Sequence, residues 1–122
     1  MRMILRGGEG ILSRRVIGWL RENAIGGIRA GILKSTDPAR SADVDFHPGA
    51  ADRHTLGFLL NPERHNGGRA AGSLAWGGLY NTFFWIDPAS NRCAVLMMQF
   101  LPFCDLAAMT LLGGFEHAVY SR

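Results

Sequence analysis

The sequence predicts an α+β domain: an antiparallel sheet with one helix near each end of the chain. Three observations lead there. "ILSRRVIGWLREN" places Ile11, Val16, Trp19 and Leu20 near one face of a helix. "SLAW", "LYNTFFWID" and "RCAVLMMQF" are strand-like runs separated by "GG" and by the turn residues "PASN". Near the end, Ala108, Leu112, Phe115 and Val119 recur at helical spacing.

Taken in order, the first helix is expected over about residues 12–23, with Ser13 as its N-cap and Arg14, Arg15, Arg21 and Glu22 largely on other faces. The glycine-rich "NAIGGIRAGIL" follows, and then a long polar loop over about residues 34–53 that carries Pro38 and Pro48. Loops of that length in a small domain commonly serve a function or wrap a neighbouring piece. Strands are expected over about residues 54–100, beginning with "HTLGFLLN" and giving a sheet of three to five strands. The last strand is apolar on both alternating faces, with Ala94, Leu96, Met98 and Phe100 on one and Val95 and Met97 on the other. That pattern predicts a strand buried on both sides, with helices over both faces of the sheet. "LPFCD" ends the sheet, and Asp105 can cap a helix over about residues 105–120. Gly113 and Gly114 inside that helix suggest close packing against the sheet. Two helices are too few to cover both faces, so residues 1–122 read as one partial domain, the end of a larger one.

Composition narrows the function classes. The chain has 122 residues, 48% hydrophobic and 19% charged, with a formal charge of +3, which describes a globular domain rather than a disordered segment. The arginines are scattered, with no basic stripe of the kind nucleic acids require. Cys93 and Cys104 form no CxxC pair, and His47, His54, His65 and His117 lack metal-ligand spacing, so they are expected as surface or loop histidines. No cofactor or metal is implied. No apolar run reaches the roughly 18 residues of a membrane span, and none forms a signal peptide, which suggests a cytoplasmic protein with neither membrane nor nucleic-acid partners.

One feature resists a purely structural explanation. "SLAWGG" at residues 73–78 puts two glycines at the end of an apolar strand, where glycine normally weakens pairing. Either this is a simple hairpin, or backbone there comes close to something small, such as a substrate carbonyl.

The segments "LGFLLNPE", "GGRAAGSLAWGGLYNTFFWIDP", "VLMMQFLPF" and "FEHAVY" together resemble the C-terminal part of the serine β-lactamase and penicillin-binding-protein superfamily. The chain is most similar to its class C β-lactamase-related carboxylesterases, the family VIII esterases. The resemblance covers essentially the whole chain and implies the C-terminal portion of a β-lactamase-like sandwich. It aligns Trp76, Gly77 and Gly78 with the third active-site motif, Lys-Thr-Gly in typical β-lactamases and commonly Trp-Gly-Gly in the esterases. It implies that the backbone N–H of Leu79 is one of the two oxyanion donors, the other belonging to the nucleophile. It also makes Trp76 a pocket wall that favours neutral esters over β-lactams.

Two of the three family motifs are missing. No serine is followed by lysine three residues on, Lys34 is the only lysine, and no Tyr-x-Asn stands where the second motif would be. Ser73 is expected as a strand residue, since "GSLAW" is not Gly-x-Ser-x-Gly. The chain therefore reads as the C-terminal segment of a serine hydrolase that acts on small ester or β-lactam-like substrates through an acyl-serine, inactive alone. A different reading is a non-catalytic binding or assembly module whose sheet is covered by an N-terminal fragment or a second copy. A self-sufficient site built on Asp45, His47 or His54 has no nucleophile–base spacing to support it.

Overall fold

The computed structural model describes residues 1–121. Seven short strands and three helices follow one another as α1 (Arg2–Leu5), α2 (Arg14–Trp19), β1 (Ile32–Leu33), β2 (Val44–Asp45), β3 (Arg53–His54), β4 (Leu59–Asn61), β5 (Ser73–Gly78), β6 (Thr82–Asp87), β7 (Arg92–Leu96) and α3 (Leu106–Tyr120). β3 to β7 form one antiparallel sheet in sequence order, and β1 pairs with β2 in a separate two-stranded ribbon. This is the α+β arrangement that the alternating runs and the terminal helix predict.

The core lies on both faces of β6. Phe83 and Trp85 point one way, into a cluster with Leu112 and the partly buried Phe115 and Val119 of α3. Ile86 points the other way and joins Leu60 and Leu74, with Ile4 and Leu5 of α1 and Phe58 packed against them. Trp85, Leu74 and Ile86 are essentially sealed from solvent, and burial of such side chains contributes about 1.5–3 kcal/mol each.

The strand covered on both faces is therefore β6, and the expectation attached to the last strand is corrected. β7 is the sheet edge and ends at Leu96; Val95 and Met97 are exposed. An apolar run can mark a strand, but its place among the strands depends on pairing that periodicity does not carry. "HTLGFLLN" is likewise not one strand. Thr55 turns it, accepting at its hydroxyl from the N–H groups of Gly57 and Phe58 and sending its own N–H to the Phe58 carbonyl. β3 and β4 are the two arms of that turn. The segment Leu79–Asn81, expected as strand, is the turn between β5 and β6.

α2 is shorter than the 12–23 expectation. Ser13 caps it by accepting from the Val16 N–H. The chain then leaves the helix, and Asn23 closes a turn by accepting from Ile25 and donating to Gly26. Ile17 is its one buried residue, whereas Ile11 and Trp19 stay exposed, Trp19 beneath the guanidinium of Arg15. The long loop is partly ordered: it contains β2 and clasps the segment before α3, through Ala42 N–H to the Phe103 carbonyl and Phe103 N–H to the Arg40 carbonyl.

α3 begins at Asp105, whose carboxylate accepts from the Ala107 N–H. Its inward face carries Ala108 and Leu112, as the spacing predicts, and also Glu116. Gly113 and Gly114 do not pack against the sheet: both are exposed, and a Cβ at either would meet nothing within 4 Å. No helix among the described residues is long and apolar enough to cross a membrane. Since glycine in a helix interior costs about 0.5–1 kcal/mol relative to alanine, Gly113→Ala and Gly114→Ala should each raise stability by about that amount. Urea unfolding followed by circular dichroism reads the effect.

Candidate functional site

β5 ends in Trp76, Gly77 and Gly78, paired with Phe84, Phe83 and Thr82 of β6. The two glycines differ. A Cβ on Gly77 would lie 2.7 and 2.8 Å from atoms of the Phe83 ring and 3.2 Å from Phe103. Those two rings stack at 5.9 Å, and the missing side chain is what lets the stack lie against the strand. A Cβ on Gly78 would meet only the Thr82 carbonyl oxygen, at 3.7 Å, an ordinary contact. Trp76 is 43% exposed. Its indole meets the imidazole of His54 edge to face, centroids 5.3 Å apart.

The turn that follows is held from beneath by Asn81, which adopts φ +65° and is fully buried. Its N–H donates to the Gly78 carbonyl, its amide nitrogen donates to the carbonyls of Phe100 and Pro102, both at 2.9 Å, and its amide oxygen accepts from the Cys104 N–H at 2.7 Å. Leu79 rides on this turn, half exposed, and its N–H has no hydrogen-bond partner among the described residues.

Beside the turn opens a cavity of about 470 Å³, mostly apolar, between β5, β6 and α3; Trp76, Gly77 and Leu79 are on its wall. One end of it is polar. His47 Nδ1 lies 2.7 Å from the buried Asp52 carboxylate, and the His47 and His65 rings approach to 3.9 Å. His65 Nδ1 is 3.5 Å from Glu116, which accepts from Arg69 Nε at 3.0 Å, Nη2 at 2.6 Å and the Arg69 backbone N–H at 2.9 Å. His47 and His65 lie in loops, as expected, but are largely buried as partners of carboxylates rather than set at the surface. His47 and Asp52 share one loop, but His65 and Arg69 come from a second loop and Glu116 from α3, too far apart in the chain for any motif spacing to announce the cluster. Burial would push the Glu116 carboxyl up, but hydrogen bonds from His65 and Arg69 and the guanidinium charge outweigh it and hold it well below the usual carboxylate range.

Three nucleophile candidates near the sheet and α3 are engaged or inert. Ser73 is fully buried and its hydroxyl donates to the Ala70 carbonyl. Burial pushes the Cys104 thiol up to about 12. The Tyr120 hydroxyl donates to Asp87 at 2.9 Å and accepts from the Trp85 indole. No group of three or more His, Cys, Asp or Glu side chains among the described residues is placed to hold a metal ion.

The Beta-lactamase family model matches residues 12–110. The chain belongs to the Beta-lactamase family. Within it, the monacolin J acid methylbutanoyltransferase of Aspergillus terreus is 37% identical over 54 residues, which are 44% of this chain and 13% of that protein. Among solved structures, unliganded simvastatin synthase (LovD) from Aspergillus terreus superposes with a TM-score of 0.73 at 20% identity, covering 98% of this chain and 32% of that one. Its LovD6 mutant gives 0.75 at 19% identity, with 98% and 30% covered. The chain thus spans about a third of these solved relatives and a smaller share of the curated one. The likeness to LovD establishes the β-lactamase fold, and family membership places the chain in the superfamily that the Trp-Gly-Gly context predicts.

Two measurements test this geometry. Gly77→Ala should destabilise by about 1–3 kcal/mol through overpacking, while Gly78→Ala should cost less than half as much; urea unfolding compares them. Glu116 has a depressed folded pKa, so its contribution is fully present above the free-carboxylate value of 4.5 and is lost as pH falls toward the folded value. Stability should therefore decline below that pH. Glu116→Gln should flatten this decline while lowering stability at neutral pH by about 3 kcal/mol or more, because it leaves Arg69 buried without its counter-charge.

Proposed function

We propose that this chain is the oxyanion-hole portion of a β-lactamase-family serine enzyme of the carboxylesterase type. In the whole protein a serine oxygen attacks the carbonyl carbon of a small ester, the alcohol leaves with a proton, and water cleaves the acyl-serine. The Leu79 N–H supplies one of two donors to the oxyanion, Gly78 leaves the approach clear, and Trp76 walls an apolar pocket suited to a neutral ester. The observation that carries the reading is the unpartnered N–H of the half-exposed Leu79, on a turn held by Asn81 directly after Trp76-Gly77-Gly78. The acyltransferase name of the curated relative supports the same acyl-serine with an alcohol in place of water as the acceptor.

Alone, these 122 residues carry no Ser-x-x-Lys and should not turn over esters. A second reading, an assembly module that pairs with an N-terminal fragment or another copy, is favoured by the place of β7 at the end of the strand order among the described residues, with Val95 and Met97 exposed. Both readings place the chain beside further polypeptide, and only the first requires an oxyanion donor.

The test is hydrolysis of short-chain nitrophenyl esters by this chain and by a protein extended upstream to an in-frame Ser-x-x-Lys. The chain alone should stay at the buffer rate, and the extended protein should be active. In the latter, Leu79→Pro, which deletes the N–H, should lower kcat by about 10²–10³-fold, and Leu79→Ala should leave it within a few-fold. Saturable, serine-dependent hydrolysis by the 122 residues, or a Leu79→Pro enzyme at full rate, would refute the proposal.

A further inference from the structure

We propose that His54 is the hydrogen-bond acceptor of the Trp76 wall, and that it binds a hydroxyl on the alcohol portion of an apolar substrate. The substrate class rests on the acyl-transfer reading above; the state of the imidazole does not. His54 Nδ1 lies 2.6 Å from the Thr55 carbonyl oxygen. A carbonyl oxygen only accepts, so Nδ1 carries the hydrogen, and in the neutral ring Nε2 is left as an acceptor. Nε2 has no hydrogen-bond partner among the described residues, and it is not one of the side-chain atoms sealed from solvent. The backbone helps to hold the ring's residue in place: the His54 carbonyl accepts from the Ala24 N–H at 2.8 Å, and β3 pairs it with Leu59.

β3 and β5 flank β4, and from these two strands the imidazole and the Trp76 indole meet edge to face at 86°. The combination is an exposed aromatic surface with one fixed acceptor, His54 Nε2, beside the indole N–H of Trp76, which can donate. A purely apolar ligand would cover Nε2 and strip its water without replacing the lost hydrogen bond. An alcohol of the same shape restores that bond. A site built this way discriminates by the hydroxyl rather than by size. His54 is a binding residue in this scheme and takes no part in bond making.

The test uses the labelled 122-residue chain, cyclohexanol, and cyclohexyl methyl ether, which lacks the donor. In the neutral ring, nitrogen-15 NMR should show His54 Nε2 as the nitrogen without a hydrogen. Titration with cyclohexanol should move that resonance and the Trp76 indole N–H, with an affinity about three- to tenfold above that for the ether. His54→Phe should bind the two equally, and His54→Gln, whose side-chain oxygen also accepts, should keep part of the preference. A hydrogen on Nε2 of the neutral ring, equal binding of the two probes, or a preference that survives in His54→Phe would overturn the proposal. If the alcohol preference holds while Leu79→Pro leaves the extended enzyme at full rate, the acyl-transfer reading fails and the His54 site stands.

Discussion

The buried amide of Asn81 is the constraint on which the rest of the site depends. It closes the β5–β6 turn and binds the chain at Phe100, Pro102 and Cys104 at the same time. Each of these bonds has a net worth of about 1 kcal/mol, but a buried amide left unpaired would cost more than the bond itself. Through Cys104 the turn is tied to the start of α3, capped at Asp105. Through Phe103 it is tied to the long loop, whose Arg40 and Ala42 bracket that residue with two backbone hydrogen bonds. The position of the Leu79 N–H is thus a property of the whole C-terminal half and not of a flexible hairpin.

α3 is fixed further along by carboxylates at both ends of the contact. Glu116, on the helix, holds Arg69 of the β4–β5 connection; Asp87, at the end of β6, takes the Tyr120 hydroxyl from the last turn of α3 and the Ala70 N–H from that same connection. Burial pushes the Asp87 carboxyl up, and the hydrogen bonds from Ala70, Ser90 and Tyr120 more than reverse it. Both groups are charged, buried and fully engaged, the condition under which an interior charge is tolerated. The cavity lies between α3 and the sheet, with Leu112 and Glu116 on one wall and Phe83 and Trp85 on the other. The helix therefore shapes the pocket without contributing a nucleophile to it.

Local rules were legible where the cause is local. Ser13 and Asp105 cap the helices that their spacing announces, and Ala108 and Leu112 face inward as a period of 3.6 requires. Several inferences that needed a partner from elsewhere in the chain failed. The apolar "RCAVLMMQF" looks central but lies at the edge, because strand order is decided by pairing. Gly113 and Gly114 suggest a tight contact but face open space. The His65–Glu116 pair and the approach of His47 to His65 depend on segments that only the tertiary fold brings together. The Trp-Gly-Gly stretch stood out because it breaks a local rule, and such breaks gather at functional or strained positions.

That stretch turns out to have two reasons, one for each glycine. In a strand, successive residues face opposite ways. Gly77 faces the Phe83–Phe103 stack, so its lack of a side chain is fully accounted for by packing within the chain. Gly78 and Trp76 face the other way, where Trp76 is exposed and an added methyl at Gly78 meets no obstacle. A purely structural hairpin would explain Gly77 and leave Gly78 without a cause. The proposed function supplies one: a clear approach to the Leu79 N–H. The proposal of a reacting carbonyl at this turn therefore draws on the glycine that the fold itself does not need, beside the unpartnered Leu79 N–H.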